Sequence, residues 1–210
     1  QTEDWSDRLL GMALMTEPAL LVHVCCASCL AAILDPLRAL GCPTAFFYNP
    51  NIHPLLEFRR RLKAVRTLAD RKRLDLLADD RYDLREFLHA VPWDRPERCP
   101  ACYRMRLEET ARVAAERGFA AMTTTLLAST HQDHDAVRCI GEEAARAKGL
   151  AFHYEDWRPL AARGHEEAAR SSLYRQQYCG CIFSEEERFA PTSVHVYRGG
   201  GRREARGGAR

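Results

Sequence analysis

No stretch of this 210-residue chain approaches 18 uninterrupted apolar residues, so no membrane-spanning helix is expected. Charge of one sign is lacking as well: 31 Lys and Arg stand against 29 Asp and Glu, and a net +2 implies no partner by itself. Neither G-x-G-x-x-G nor G-x-x-x-x-G-K-[ST] occurs, which removes the two common glycine-rich phosphate loops. The first twenty residues carry Glu3, Asp4, Asp7 and Glu17 without a basic-then-apolar run, so no signal peptide is expected. No internal repeat is visible. What remains, 46% hydrophobic and 29% charged, is the composition of a soluble globular chain long enough for one full α/β core.

Cysteine, by contrast, is abundant. Nine are present, an odd number, and they are clustered: Cys25, Cys26 and Cys29 sit together, Cys99 and Cys102 form C-x-x-C, and Cys179 and Cys181 form C-x-C. Cys42 and Cys139 stand alone and read as small core hydrophobes. A long, helix-rich chain with this pattern points to metal or redox chemistry in a reducing compartment, so a cytoplasmic location is expected. Charge is also segregated. Glu57 to Arg73 holds eight basic residues against Glu57 and Asp70, and the Gly/Arg tail from Arg198 to Arg210 holds five Arg against Glu204. That is the footprint of a nucleic-acid ligand, or more blandly of a solvated helix face and a trailing tail.

Apolar runs predict strands at 19–24, 44–48, 74–78, 119–125 and 150–154. Helical patterns fall at 28–40 with Ser28 as N-cap, 55–69, 82–90, 102–117, 131–148 and from 164 to 171. Pro36 inside the first predicts a kink or an early end. The alternation implies an α/β fold, a parallel sheet of about five strands with helices on both faces, Rossmann-like. Its expected organisation is an N-terminal extension over 1–18, a single α/β domain over 19–197 and a disordered basic tail over 198–210.

In such sheets ligands gather at the carboxyl ends of the strands, and Cys25-Cys26 follow the first strand there. Cys99 and Cys102 fall at the junction before a long helix, where the dipole favours thiolate. Together they make a four-thiolate set suited to structural zinc or to a four-iron cluster. The cluster is favoured, because Cys25 and Cys26 lie where substrate should bind and Cys179-Gly-Cys181 is a separate pair able to handle electrons. An i, i+2 disulfide is strained and therefore labile. The bland reading of that pair is two buried thiols or extra ligands. His23 reads as a hydrogen-bonded core histidine, and His131, Asp133, His134 and Asp135 as surface and capping residues. Asp156, in Tyr154-Glu-Asp-Trp157, ends the fifth strand and could face the site.

Taken together these residues resemble the QueH-type epoxyqueuosine reductases. The matching segments are Leu21-Val-His-Val-Cys-Cys-Ala-Ser-Cys29, Phe46-Phe-Tyr-Asn-Pro-Asn-Ile-His-Pro54, Glu97-Arg-Cys-Pro-Ala-Cys-Tyr-Arg-Met-Arg-Leu107 and Tyr174-Arg-Gln-Gln-Tyr-Cys-Gly-Cys-Ile-Phe-Ser184. The resemblance implies a nucleotide α-hydrolase-like core and a cobalamin-independent reductase that removes the epoxide oxygen of epoxyqueuosine at the transfer RNA wobble position. It implies a [4Fe-4S] cluster on Cys25, Cys26, Cys99 and Cys102, a redox-active disulfide between Cys179 and Cys181, and an external ferredoxin- or flavodoxin-like electron donor. Ser28 departs from the family's usual Cys-Cys-Ala-Pro-Cys, and Ala128-Ser-Thr-His-Gln132 from its usual Ser-Pro with lysines. Cys29, with an acid such as Asp156, is a candidate for a second mononuclear metal ion. Arg59, Arg60, Lys63 and Arg66 are candidate phosphate contacts, since a single-stranded loop is recognised by phosphate contacts and base stacking. An ATP-dependent thiolase on a similar fold would need a Ser-Gly-Gly-type loop where Cys-Cys stands. A zinc-stabilised RNA-binding module is the non-enzymatic alternative, and it gives Cys179 and Cys181 no task.

Overall fold

A computed structural model describes residues 19–191. The expected N-terminal extension and the basic Gly/Arg tail lie outside the described residues. Within them, strands β1 (Ala19–His23), β2 (Cys42–Phe47), β3 (Leu76–Ala78), β4 (Ala121–Thr124) and β5 (Ala151–Phe152) form one sheet. Its order is β3-β2-β1-β4-β5 and every neighbouring pair is parallel. Seven α-helices accompany them: α1 (Ala27–Leu40), α2 (Leu55–Lys72), α3 (Leu84–Ala90), α4 (Arg98–Glu116), α5 (His134–Arg146), α6 (Ala161–Arg170) and α7 (Ile182–Phe189). No helix among the described residues is long and apolar enough to cross a membrane.

The sheet forms where the sequence supplies apolar residues for both faces. In β1, Leu21 joins Phe46, Val113 and Ala114 beneath α4, while Leu20 and Val22 alternate into the larger cluster with Ile33 and Leu37 of α1. The chain runs from β1 outward to β3 and then returns to β4 on the other side of β1. That reversal places a topological switch point, the usual ligand crevice, at the carboxyl ends of β1 and β4.

The α/β reading and the five strands agree with the sequence expectation; several element boundaries and one helix differ. Helix α1 runs through Pro36 without a break, and its N-cap is Cys26, not Ser28. Helix α4 begins at Arg98 rather than at 102, so Cys99 lies within its first turn and Cys102 just beyond that turn. Helix α7, which apolar periodicity does not announce, starts directly after Cys181, whose sulfur accepts the Ser184 N–H at 3.4 Å. Cys42 and Cys139 are exposed rather than core residues. Helix α6 docks onto α1 at Gly164, where a Cβ would lie 2.3 Å from the Ser28 carbonyl oxygen; only glycine permits that approach.

Candidate metal and redox site

The first wall of the site is the turn that leaves the central strand. The Cys25 N–H donates to Thr125 Oγ1 at 3.2 Å, tying the end of β1 to the end of β4. Beneath it, His23 Nδ1 lies 2.8 Å from Thr124 Oγ1 and Nε2 lies 3.2 Å from the Tyr48 carbonyl. Burial lowers the His23 pKa to about 4, which makes it the neutral core histidine that the sequence implied. Asn49 Nδ2 donates to the Val24 carbonyl at 2.8 Å, so the loop after β2 also holds the turn.

This turn brings Cys25, Cys26 and Cys29 together, with all three sulfurs within 4.8 Å of one another. Among the described residues it is the one cluster of three or more ligand-type side chains that is so close. Hydrogen bonds from the neighbouring Cys25 and Cys29 thiols, with that of Ser28, hold Cys26 well below the usual thiol range despite its burial. The same network pushes Cys25 and Cys29 up, each being a donor to Cys26. Gln176 Nε2 donates to Cys26 Sγ at 3.0 Å and fixes that sulfur from the far end of the chain.

The opposite wall carries Cys99 and Cys102 from α4 with Cys179 and Cys181 from the segment before α7. Both walls line one cavity of about 660 Å³, which six of the nine cysteines face, Cys26 lying just behind Cys25 and Cys29. Cys99, Cys102 and Cys179 all have raised pKa values, Cys102 up to about 12, with burial the main cause and the nearby Cys thiols adding to it. The expectation that the helix dipole makes Cys99 and Cys102 thiolates is therefore corrected: desolvation outweighs it. Cys179 and Cys181 are free thiols in the structure.

Two arginines that the sequence motifs do not single out shape this wall. Arg61, 1% exposed, pairs with Glu57 at 2.7 Å and donates to the carbonyls of Cys179 at 2.8 Å and Tyr178 at 2.9 Å. The Tyr174 hydroxyl donates to the second Glu57 oxygen, and the Tyr178 hydroxyl to the His53 carbonyl. The His53 N–H in turn donates to the Gly180 carbonyl at 2.8 Å. Gly180 has φ 149°, and a Cβ there would lie 3.2 Å from Asn51 Nδ2 and from Ile52 Cγ1. The Cys-Gly-Cys segment is thus clamped by buried polar contacts on both sides of its glycine.

Arg106, also 1% exposed, lines the cavity, yet Nη2 has no hydrogen-bond partner and no carboxylate pairs with it among the described residues. Nε donates to the Cys102 carbonyl at 3.1 Å. A buried, unpaired charge costs several kcal/mol. Its neighbourhood is sulfur, and its charge opposes the rise of the Cys102 and Cys179 pKa values. A cation buried among thiols fits a metal–thiolate group of net negative charge. Arg106 could have been found from sequence: it stands four residues after Cys102, on the same helical face.

The remaining candidates fall elsewhere. Asp156 is held by Arg158, with 2.8 Å to Nε, which lowers its pKa to about 2. It is exposed and does not line the cavity, so the structure does not bring it to Cys29 as the pairing required. Arg59, Arg60, Lys63 and Arg66 lie on α2 and none lines the cavity. Arg60 covers the Tyr174 ring, and Arg66 pairs with Asp80 at 3.2 Å. Asp133 caps α5, as expected, whereas His134 is buried against the Ser129 carbonyl and His131 faces the cavity. Gln132 donates to Cys179 Sγ at 3.5 Å.

Known proteins match this chain in sequence over most of its length. A family model described as "Epoxyqueuosine reductase QueH" matches residues 20–187. The epoxyqueuosine reductase QueH of Dehalococcoides mccartyi is 38% identical over 173 residues, 82% of this chain and 95% of that protein. The protein of the same name from Thermotoga maritima is 35% identical over 179 residues, covering 80% and 91%. That from Haemophilus influenzae is 33% identical over 174 residues, covering 79% and 71%. The match spans both cysteine walls and the sheet that separates them in sequence, and the chain belongs to the QueH epoxyqueuosine reductase family.

Proposed function

We propose that this chain is an epoxyqueuosine reductase that removes the epoxide oxygen from epoxyqueuosine in transfer RNA, in the cytoplasm and without cobalamin. The observation that carries the reading is the cavity itself: thiols from three separated motifs face one space, and a buried guanidinium with no carboxylate partner among the described residues lies among them. At about 660 Å³ it is of a size to enclose one modified nucleoside. Cys25 and Cys26 on one wall, with Cys99 and Cys102 on the other, are the residues that would hold a [4Fe-4S] cluster. Cys29, beside Cys25 and Cys26, would serve as the accessory thiol for a second mononuclear metal ion. A bound cluster supplies a Lewis-acidic iron for the epoxide oxygen and a path for single electrons.

The chain's own residues account for the rest. Arg106 balances the negative charge of the thiolates, and Gln176 fixes the Cys26 sulfur. Cys179 and Cys181 together yield two electrons and two protons: both C–O bonds break, an alkene forms, the oxygen leaves as water and the two sulfurs join. The external donor, ferredoxin- or flavodoxin-like, returns two electrons, and solvent two protons, to restore the thiols. Arg61 and Gly180 keep these sulfurs at the cavity edge. The basic outer face of α2 serves as a longer-range attraction for the transfer RNA backbone.

Anaerobic purification with metal and sulfide analysis tests the reading, followed by assay on transfer RNA carrying epoxyqueuosine. About four irons and four sulfides per chain, a brown colour that bleaches on reduction, and formation of queuosine are expected. One tightly held zinc, no visible absorption and failed iron reconstitution would instead leave a zinc-stabilised RNA-binding module.

A further inference from the structure

Trp93 stands out at the rim of the cavity. Two large hydrophobic side chains are strongly exposed among the described residues, Leu56 and Trp93, the latter 55% exposed. Trp93 belongs to the loop between α3 and α4, a segment with Pro92 and Pro96 that limits its backbone freedom. Its indole stacks on Phe183 with ring centroids 6.2 Å apart and planes 7° from parallel. Arg98 lies over the same Phe183 ring at 5.4 Å. A small recess lined by Trp93, Arg95, Arg98 and Cys99 adjoins the thiol cavity, sharing Arg98 and Cys99 with it. Phe183 itself follows Cys181 by two residues, so the stack is anchored to the redox segment.

We infer that Trp93 is a stacking platform for the nucleobase adjacent to the reacting nucleotide in the substrate RNA. The inference rests on the reductase reading and adds a named contact outside the cavity. When one nucleotide enters a closed pocket, its neighbours lose a stacking partner and remain at the entrance. An exposed aromatic ring, already parallel to a second ring, restores that partner and continues the stack. Apart from Leu56 on α2, no other large hydrophobic side chain is strongly exposed among the described residues, so Trp93 offers one ring, matched to one base, where a hydrophobic protein interface needs a cluster. Arg95 and the cavity-lining Arg188 are exposed and make no ion pair among the described residues, so they are available to phosphates flanking that base. Glu187, which also lines the cavity, is engaged by Arg98 at 2.6 Å.

The test is a binding cycle with the full chain and a synthetic anticodon stem-loop RNA. Abasic sites are introduced one at a time on either side of the wobble position. Trp93→Ala is expected to weaken binding of the intact stem-loop roughly tenfold, in the range measured for base–aromatic stacking, with Trp93→Phe losing much less. One of the two abasic RNAs should show the same loss with the unsubstituted protein and no further loss with Trp93→Ala. Unchanged affinity of Trp93→Ala, or additive losses with both abasic RNAs, overturns the proposal. So does a Trp93→Ala variant that binds RNA normally but accepts electrons more slowly from a flavodoxin-like donor, since the rim would then dock a protein. Absence of any stem-loop binding overturns this contact together with the RNA reading. A full stacking cycle without epoxide reduction would retain the contact and remove the reductase.

Discussion

The two walls of the cavity are built differently. The Cys25–Cys29 wall is an extension of the sheet: β1 is the central strand, flanked by β2 and β4, and its turn is held by Thr125 and Asn49 at the ends of neighbouring strands. Among the described residues no strand lies beneath the Cys179–Cys181 wall. It hangs on side chains, chiefly Arg61, Glu57 and the two tyrosines, that reach across more than a hundred residues of sequence. The first wall inherits its geometry from topology, the second from a buried polar network. Backbone-set geometry tolerates side-chain change, whereas a network fails when one member is removed.

The largest expected effects test whether both walls hold one metal group. Cys26→Ser and Cys102→Ser, one from each wall, are each expected to abolish bound iron after anaerobic reconstitution. Cys29→Ser is expected to keep the cluster spectrum and lose any additional metal. Iron retained at the unsubstituted level in either of the first two variants would confine the cluster to a single wall and break the comparison.

Next in size is Arg61. Replacing it by Met leaves Glu57 buried without its partner and releases the carbonyls of Tyr178 and Cys179. A loss of about 3–5 kcal/mol is expected, visible as a fall in melting temperature of roughly 10 °C for a domain of this size. The double variant Glu57→Leu/Arg61→Met should recover part of the stability, because no orphan charge remains. It should not recover the rate at which Cys179 and Cys181 oxidise to a disulfide, since the clamp is still missing. Recovery of both would make Arg61 a purely structural residue.

A smaller, pH-dependent effect tests the second wall, beside the same kind of effect that buried His23 gives the first. His53 supports the second wall through its N–H to Gly180, and its ring is fully buried beside Tyr82 and Phe87. Burial lowers its pKa from 6.5 to about 4. The unfolded chain therefore binds the proton first. The stability that His53 contributes is complete above pH 6.5, is lost as pH falls towards 4 and is gone below that. The loss is on the order of 3 kcal/mol. Urea denaturation at several pH values should show this slope, and His53→Phe should flatten it relative to the unsubstituted protein. Equal slopes in the two proteins would mean that other groups govern acid sensitivity.

The same contrast explains what was legible in the sequence. The five strands, and the placement of Cys25 and Cys26 at a strand end, follow from apolar runs and α/β topology, both local or near-local signals. The C-x-x-C helix was legible too, apart from its first turn: Pro100 is tolerated near a helix start, so the pattern alone does not fix where α4 begins. The clamp on the second wall was not legible. Arg61 sits within a run of basic residues whose composition says solvated face, and only the packing of α2 shows that one of them turns inward. Asp156 failed for the opposite reason: β5 ends at Phe152, so Asp156 lies in the loop beyond it, where the nearby Arg158 captures the carboxylate.

Helix α2 thus carries two kinds of arginine, and the smallest predicted effect distinguishes them. Arg59, Arg60 and Lys63 belong to the outward face and make no ion pair among the described residues, while Arg66 shares its charge with Asp80. Long-range attraction to an RNA backbone falls off within about 8–10 Å at moderate salt, so residues outside the cavity contribute modestly. Charge reversal at Arg59 and Lys63 is expected to weaken stem-loop binding severalfold. It should also reduce the slope of log K against log salt by about 0.7 for each phosphate that is no longer neutralised. The melting temperature should stay within about a degree or two, because exposed charges contribute little to stability. An unaltered salt slope would make this face a solvated one and leave RNA recognition to the cavity rim. A large fall in melting temperature would show instead that the outer arginines share in the clamp that Arg61 makes.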